Sequence, residues 1–183
     1  MVSALAPALR LPRRRAEPGD RAARPDFAEV AEEHLDAVYR YVHAMVRDPD
    51  LAQDLTAAAF EKGLRAWRSY RPERSRPQTW LCSIARNVVL DHWRSERRRR
   101  DGFEALTAES AAGSVAGEPA GGLDPALAAA ISRLSPVERE VLALRVLLDM
   151  GCEEAATLMG ISATACSTHL HRLLAKLRAE VGE

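Results

Sequence analysis

The sequence predicts an all-α protein in which a flexible acidic linker joins two small helical domains. Aromatic residues make up only 5% of the 183 residues, whereas Ala, Leu and Arg, which favour helices, are abundant. No segment alternates apolar and polar residues between turn signals, as a half-buried strand would. Apolar residues instead recur at helical spacing in two blocks, and this periodicity is lost between them. The two blocks define the two domains.

The first domain is expected over residues 26–100. Three helices are predicted there, over about 27–48, 51–67 and 80–97. The segment Arg71–Pro77 holds two prolines and is predicted to form a loop between the second and third helices. Trp80 and Trp93 fall on the apolar stripe of the third helix, which favours core packing over base stacking for both rings.

The second domain is expected over residues 124–183. A short helix there should end before Ser135, which can cap the next helix because Glu138 follows at the capping-box position. Apolar residues continue at helical spacing from Val141 to Leu148. The domain is therefore predicted to be a small bundle of short helices.

Residues Cys152–Arg178 predict a helix-turn-helix, an arrangement that places its second helix in the major groove of DNA. Gly160 suits the turn because glycine tolerates positive φ, and Ser162 is a good N-cap for the second helix. The residues expected to face DNA are polar. They are Ser162, Thr164, Ser167, Thr168, His171 and Arg172, with Lys176 further along for phosphate.

Charge is distributed unevenly, although the formal net charge is zero. Residues 71–100 hold nine Lys or Arg against three Asp or Glu, and acidic stretches flank them. A localised basic segment favours a single DNA-facing surface. Residues 1–25 are predicted to be a disordered Arg-, Pro- and Ala-rich tail, with a basic binding arm as the alternative. Residues 101–123 are predicted to be the flexible linker.

Several other functions lack support in the sequence. A membrane-spanning apolar stretch and an apolar signal core are both missing, so we expect a soluble cytoplasmic protein. Cys82, Cys152 and Cys166 lack metal-ligand spacing and are expected to be reduced thiols. Metal-ligating His pairs, phosphate-binding glycine loops and catalytic signatures are missing too. We therefore predict no metal, no cofactor and no enzymatic activity.

Segments of both domains resemble bacterial sigma factors. Ala52-Gln53-Asp54-Leu55-Thr56 and the run Pro72–His92 resemble sigma region 2. Leu134–Leu142, followed by Leu158-Met159-Gly160-Ile161-Ser162, resembles sigma region 4. Their order, their spacing and the short linker are similar to the extracytoplasmic-function group. Two matches in the family's order are far more specific than either alone.

The resemblance implies a subunit that binds core RNA polymerase and directs promoter-specific initiation. It also implies a dedicated anti-sigma factor as a partner. Residues that would contact the β′ clamp helices of polymerase are Asp54, Leu55, Phe60, Glu61 and Leu64. Residues that would read and melt the minus-ten promoter element are Arg71, Arg74, Arg76, Arg86, Asn87, Arg94, Arg97 and Arg98. The second domain would dock on the β flap and on the minus-thirty-five element.

The predicted recognition helix departs from the family pattern, which usually places a basic residue early in it. Here Ala163–His169 holds none, and the first basic residue is Arg172. Fewer phosphate contacts give weaker, less salt-dependent binding, so minus-thirty-five recognition is expected to depend on polymerase. Two alternatives stay open. One is a helix-turn-helix regulator that binds duplex operators by itself, and the other is an adaptor that binds an acidic partner through residues 71–100.

Overall fold

A computed structural model of the protein describes residues 25–104 and 124–181, and these residues form seven α-helices and no strand. The predicted all-α fold class is confirmed. Most of the predicted tail and most of the predicted linker lie outside the described residues. The helices are α1 (Phe27–Val46), α2 (Pro49–Ala66), α3 (Pro77–Glu104), α4 (Pro125–Ser132), α5 (Pro136–Leu142), α6 (Cys152–Met159) and α7 (Ala163–Val181).

Local signals set the boundary between α1 and α2. Arg47 ends α1 in the left-handed region, at φ 62°, and its backbone N–H donates to the carbonyl of His43. The Asp48 carboxylate then accepts hydrogen bonds of 3.0 Å from the N–H groups of Asp50 and Leu51. Pro49 occupies the first turn of α2, where its missing N–H is not needed. The sequence predicted this break at the same proline.

The core of the first domain lies where α1, α2 and α3 pack together. Val38, Val42 and Val89 are fully buried there, and Phe60 is 1% exposed. Gly63 allows the close approach of α2 to its neighbours: a Cβ there would lie 3.2 Å from a Leu81 methyl carbon. A side chain at that position would require the Leu81 methyl to shift by a few tenths of an ångström, so the helices cross closely here.

An aromatic cluster supports the predicted loop between α2 and α3. Trp67 lies in a short 3-10 turn and stacks on Tyr70, with ring centroids 4.6 Å apart and planes 5° apart. Trp80 meets both rings at an angle, with centroids 5.5 and 5.3 Å away. The buried Tyr70 hydroxyl donates a 2.9 Å hydrogen bond to the carbonyl of Ser75. The loop is therefore tied to the core, and the predicted packing of Trp80 is confirmed.

The capping box predicted at the start of α5 is present. The Ser135 N–H donates to the Glu138 carboxylate at 2.8 Å, and the Glu138 N–H donates to the Ser135 hydroxyl at 3.3 Å. After α5 the chain widens into a π-helical turn, Ala143–Leu147, before the next helix. The two reciprocal bonds satisfy donors that the helix itself leaves unpaired.

The helix-turn-helix is formed by α6 and α7. Gly160 ends α6 in the left-handed region, at φ 72°, as the sequence predicted. The Ser162 hydroxyl accepts a 3.1 Å hydrogen bond from the N–H of Ala165 and so caps α7. Ala155 and Ala156 are buried where the two helices cross, which allows their close packing.

Two features of the fold differ from the sequence-based expectation. α3 continues through Arg97–Arg100 to Glu104, beyond the predicted end of the first domain. Arg94 pairs with Asp91, and Arg99 pairs with Glu96; the partners in each ion pair are three residues apart, about one helical turn, and both pairs support the extended helix. The two domains also pack against each other, α1 against α5 and the π-helical turn, and α3 against α6.

Candidate nucleic-acid interface

The loop between α2 and α3 presents a basic edge. Arg71, Arg74 and Arg76 are all exposed there, as expected of residues that contact phosphate. The Arg71 guanidinium donates 3.1 Å hydrogen bonds to the carbonyls of Arg68 and Tyr70, which hold its charge at the base of the loop. Arg74 lies at the turn itself. The loop therefore offers fixed positive charge beside an aromatic platform.

The exposed face and the C-terminal end of α3 extend this basic surface. Asn87, Arg94, Arg97 and Arg98 are exposed, so each is accessible to DNA, and their binding to the minus-ten element stays a prediction. Arg94 donates to the Asp91 carboxylate at 2.9 Å, but both side chains are more than half exposed. Such surface pairs are weak, so a phosphate can displace the carboxylate from Arg94.

Arg76 and Arg86 were predicted to bind the minus-ten element, but in this structure the second domain holds them. Arg76 makes a forked ion pair with Glu154, in which its Nε lies 3.2 Å from one carboxylate oxygen. Arg86 donates to Glu140 at 2.6 Å and to the carbonyl of Met159 at 3.3 Å. Arg86 is largely covered by this contact, with 23% of its side chain exposed, which differs from the expectation that it faces DNA, whereas 62% of the Arg76 side chain stays exposed beside Glu154.

The outer face of α7 carries the residues predicted to read DNA. Thr164, Ser167, Thr168, His171 and Arg172 are all exposed on it. The Thr168 hydroxyl donates a 2.8 Å hydrogen bond to the carbonyl of Thr164, which leaves its lone pairs free to accept from a base. This face is therefore polar, and only one of its five side chains is a guanidinium.

Ser162 and Lys176 have different surroundings from those expected. The Ser162 hydroxyl is occupied in capping α7, although the residue is exposed. The Lys176 ammonium donates to the Glu138 carboxylate at 3.3 Å and ties α7 to α5. The capping box uses the other oxygen of Glu138, so this carboxylate holds two helices together. Lys176 is thus a structural cation here rather than a free phosphate contact.

The predicted polymerase-contact residues of α2 divide between surface and core. Asp54, Glu61 and Leu64 are exposed, with 41% of Leu64 accessible. Leu55 and Phe60 are buried, with Phe60 packed edge-on against Phe27 at 6.4 Å. The expectation that Leu55 and Phe60 contact a partner directly is wrong in this structure, because both side chains hold α2 in the core.

Two carboxylates at the junction of the domains were missed by the sequence interpretation. Glu140 is only 5% exposed and accepts a 3.0 Å hydrogen bond from the buried Tyr41 hydroxyl as well as one from Arg86. Burial, reinforced by the Glu140 charge, raises the pKa of Tyr41 well above its usual value and keeps it a donor. The one sequence signal for burial of Glu140 was its position next to the apolar Val141.

Glu154 is the second carboxylate. Burial alone would raise its pKa, but hydrogen bonds from Arg76 and Thr79 outweigh burial, and the pKa lies below the ordinary value. Glu154 is therefore ionised at neutral pH. No cluster of three or more His, Cys, Asp or Glu residues that could hold a metal occurs within residues 25–104 and 124–181.

These surfaces and this fold define a class: a two-domain, all-α DNA-binding protein with a basic helix in one domain and a helix-turn-helix in the other. Family comparisons make the assignment specific. Sigma-70 region 2 matches residues 30–99, and Sigma-70 region 4 matches residues 125–177. The chain belongs to the extracytoplasmic-function (ECF) family of RNA polymerase sigma factors. Its function is to direct promoter-specific initiation by RNA polymerase.

Individual relatives agree with this family. The RNA polymerase sigma factor CarQ of Myxococcus xanthus is 30% identical, with 88% of this chain and 92% of CarQ covered. The RNA polymerase sigma-E factor of Streptomyces coelicolor is 31% identical, over 85% of this chain and 86% of that protein. The ECF sigma factor BldN of the same species is 32% identical over 82% of this chain, which spans 58% of BldN.

Solved structures share the fold. The sigma factor RpoE of Bartonella quintana, in complex with the anti-sigma factor NepR, aligns with a TM-score of 0.69 at 24% identity. That alignment covers 85% of this chain and 96% of RpoE. CnrH, in complex with the cytosolic domain of CnrY, aligns with a TM-score of 0.60 at 22% identity, covering 85% of this chain and 86% of CnrH. None of the helices in the described part of the chain is long and apolar enough to span a membrane.

Proposed function

We propose that this sigma factor divides promoter recognition unequally between its domains, with the first domain carrying most of the binding energy. The supporting observation is the exposed basic surface formed by the α2–α3 loop and the C-terminal half of α3. Its members are Arg71, Arg74, Asn87, Arg94, Arg97 and Arg98. Each phosphate that an arginine neutralises releases counterions, so such a surface binds nucleic acid strongly.

Melting of the minus-ten element is assigned to the same surface. A strand separated from its complement needs cationic groups along its backbone and flat surfaces against its bases. The loop provides Arg71 and Arg74, and the Trp67–Tyr70–Trp80 cluster lies directly beneath it. In this proposal the aromatic cluster fixes the loop in a shape that accepts an unstacked base, rather than stacking with it directly.

The second domain is assigned to the minus-thirty-five element through α7. Hydroxyl and imidazole groups can read base edges, which supports a role in sequence recognition. α7 exposes two arginines, Arg172 and Arg178, fewer than the basic surface of the first domain, so the helix supplies less phosphate binding of its own. We therefore propose that attachment to polymerase holds the second domain at its site.

Polymerase binding is assigned to the exposed face of α2. Asp54 and Glu61 place two carboxylates there beside the exposed Leu64. An apolar side chain with charges around it is typical of a protein–protein interface. We propose that this face meets the β′ clamp helices, with Leu55 and Phe60 acting indirectly by holding α2 in position.

The remaining assignments follow from the family. We propose that residues 26–100 and 124–183 act as region 2 and region 4, with 101–123 as the linker and 1–25 as the tail. RpoE was solved with the anti-sigma factor NepR, and CnrH with the cytosolic domain of CnrY, and we propose an anti-sigma factor for this chain too. The chain would act in the cytoplasm and contribute recognition rather than catalysis.

Reconstitution with core RNA polymerase tests this proposal. Transcription from a library of promoter fragments should become promoter-specific when the chain is added, and Arg74→Ala with Arg97→Ala should reduce it strongly. Arg40→Ala, which removes an exposed arginine of α1 outside the proposed DNA and polymerase surfaces, is the matched control. Sequence-specific duplex binding without polymerase, and no specific initiation with it, would instead support an independent helix-turn-helix regulator.

A further inference from the structure

Two cysteines of the second domain lie side by side where α6 meets α7. Cys152 is the first residue of α6, and Cys166 lies near the start of α7. The Cys152 thiol donates a 3.2 Å hydrogen bond to the carbonyl of Ala163. A helical carbonyl points toward the residues three and four positions later, so this bond brings the Cys152 sulfur to the turn of α7 that carries Cys166.

The two thiols also contact each other. The Cys166 side chain hydrogen-bonds with the Cys152 side chain. Burial, and after it the neighbouring Cys152 thiol, raise the pKa of Cys166, so Cys166 is a protonated thiol at neutral pH. The charge of the Arg145 guanidinium acts in the opposite direction on that pKa. A cation therefore lies near the pair, and cations favour the thiolates that sulfur chemistry requires.

The cysteines differ in their access to solvent. Cys152 is partly exposed, whereas Cys166 is 0% exposed. An accessible thiol reacts first with an oxidant, and a thiol held next to it is placed to resolve the product. Cys82 is the remaining cysteine of the chain, and its burial in α3 raises its pKa to about 12. Cys82 is therefore an inert thiol and an internal reference for the reactivity of the pair.

We propose that Cys152 and Cys166 form a reversible disulfide when the chain meets a peroxide, and that this disulfide weakens base recognition by α7. The second part rests on the role proposed for α7 at the minus-thirty-five element. The pair would make the second domain a peroxide-sensitive part of the protein, while the first domain keeps its single cysteine reduced.

The chemistry proceeds in two steps. The Cys152 thiolate attacks one oxygen of hydrogen peroxide, the O–O bond breaks, and a sulfenic acid forms while the departing hydroxide takes up a proton as water. The Cys166 sulfur then attacks the Cys152 sulfur. The S–O bond breaks, and hydroxide leaves with the Cys166 proton as a second water. The two thiols thus lose two electrons and two protons to one peroxide, and a dithiol reductant reverses the change by thiol–disulfide exchange.

The disulfide would move α7 against α6. Its sulfurs lie about 2.05 Å apart, so a hydrogen-bonded pair of thiols must approach by more than about 1 Å to form it. The Ala163 carbonyl also loses its Cys152 donor. Because the buried side of α7 is closely packed, the shift displaces the exposed Thr164 and Ser167 that flank Cys166. Hydrogen bonds to base edges tolerate only a few tenths of an ångström, so such a shift breaks them.

Thiol trapping on the full chain tests the disulfide. The reduced chain is treated with hydrogen peroxide, alkylated after unfolding, and digested for mass spectrometry. Peptides of Cys152 and Cys166 should be linked and Cys82 alkylated, and dithiothreitol should undo the link. Cys152→Ser keeps a donor for the Ala163 carbonyl and should prevent the link, whereas Cys82→Ala should leave it unchanged. A link to Cys82, a link between two chains, or an oxidised Cys152 beside an alkylated Cys166 would overturn the proposal.

Transcription with core RNA polymerase tests the effect on recognition. The linked chain is freed of peroxide before polymerase is added, so that only its own thiols are oxidised. Initiation at a promoter should be about tenfold lower than with the reduced chain, the scale of one lost base contact. Cys152→Ser treated with peroxide should keep its activity. Equal initiation by linked and reduced chains would show that the disulfide is no switch.

A second promoter separates a switch from damage. Scrambling the minus-thirty-five element should remove most of the difference between linked and reduced chains, because α7 then has no bases to recognise. Circular dichroism should show the same helix content for both chains and a higher melting temperature for the linked one. Loss of helix on linking, or an equal difference at both promoters, would contradict the proposal. Failure of the proposed α7 function is distinguishable, because the reduced chain would then ignore the scrambling, whereas thiol pairing is measured without polymerase.

Discussion

α3 and α7 are the two helices that face DNA in the proposed function, and they do so with different chemistry. α3 and its loop expose a series of guanidinium groups, whereas α7 exposes hydroxyls, an imidazole and two arginines, Arg172 and Arg178. Guanidinium groups bind any phosphate backbone, while hydroxyls and imidazoles discriminate between bases but bind weakly. In the proposed function, affinity and recognition are therefore separated between the two domains.

The same difference extends to the junction of the domains. The first domain supplies Arg76 and Arg86 there, and the second supplies Glu140 and Glu154. A second domain rich in positive charge could bind DNA better but could not pack against α3 in this way. The acidic residues Glu140 of α5 and Glu154 of α6 therefore complement the basic residues of the first domain that they contact.

The largest effect is expected from removing the basic surface of the first domain. Arg74→Ala, Arg97→Ala and Arg98→Ala together should lower promoter-specific transcription by about a hundredfold, because each lost phosphate contact weakens binding. Lysine at the same three positions should retain much of the activity. Run-off transcription with reconstituted polymerase measures both. Near-normal activity in the alanine variant would show that the affinity does not reside in this surface.

A smaller gain is expected from adding charge to α7. Thr164→Lys with Ser167→Lys should raise the affinity of the polymerase-free chain for duplex DNA by about tenfold and steepen its salt dependence. Glu153→Lys adds a cation on α6 instead and serves as the comparison variant. Filter binding over a range of salt concentrations gives the slope. An unchanged slope would mean that α7 does not approach the phosphates.

The pH dependence of the interdomain contact should be modest and confined to acid. The pKa of Glu154 lies below its ordinary value of 4.5, since hydrogen bonds from Arg76 and Thr79 outweigh the effect of burial. A carboxyl group with a lowered pKa stabilises the contact fully at pH values above its ordinary pKa. That stabilisation is lost as the pH falls through the lowered pKa. Small-angle X-ray scattering on the full chain should therefore show a larger radius of gyration only below about pH 4.5. Glu154→Gln should reduce this dependence.

The smallest effect is expected from Ser135→Ala, which removes half of the capping box of α5. The change should lower the free energy of unfolding by about 1 kcal/mol, as is usual for a lost N-cap. Ser132→Ala, in the exposed last turn of α4, should cost less than about 0.5 kcal/mol. Urea denaturation followed by circular dichroism measures both. A larger loss of transcription than of stability would show that Ser135 does more than cap.

Features with local signals could be predicted from the sequence. The Asp48-Pro49 break, the Ser135–Glu138 capping box and the turn at Gly160 each depend on residues within a few positions of one another. The fold class and the exposed face of α7 follow from such signals. The two prolines of Arg71–Pro77 likewise predict the basic loop before α3.

Features that depend on distant residues could not be predicted. Tyr41 and Glu140 are 99 positions apart, and the sequence contains no pattern that pairs them. Their contact reverses the expectation for Arg86, which was placed on DNA because it shares a helix with Asn87. Phe60 was predicted to contact polymerase because the family resemblance identifies the helix that does so. The resemblance does not show in which direction each side chain of that helix points. Burial is settled by packing between helices.

The stacked rings beneath the α2–α3 loop have a practical consequence. All three tryptophans and all three tyrosines lie between Tyr39 and Trp93, so the second domain has no strong chromophore of its own. Intrinsic emission from this protein therefore originates in the first domain. Trp67 and Trp80 contact Tyr70, which holds the loop through the Ser75 carbonyl, so a change in loop shape should alter their emission. Promoter opening can thus be followed optically without attaching a dye.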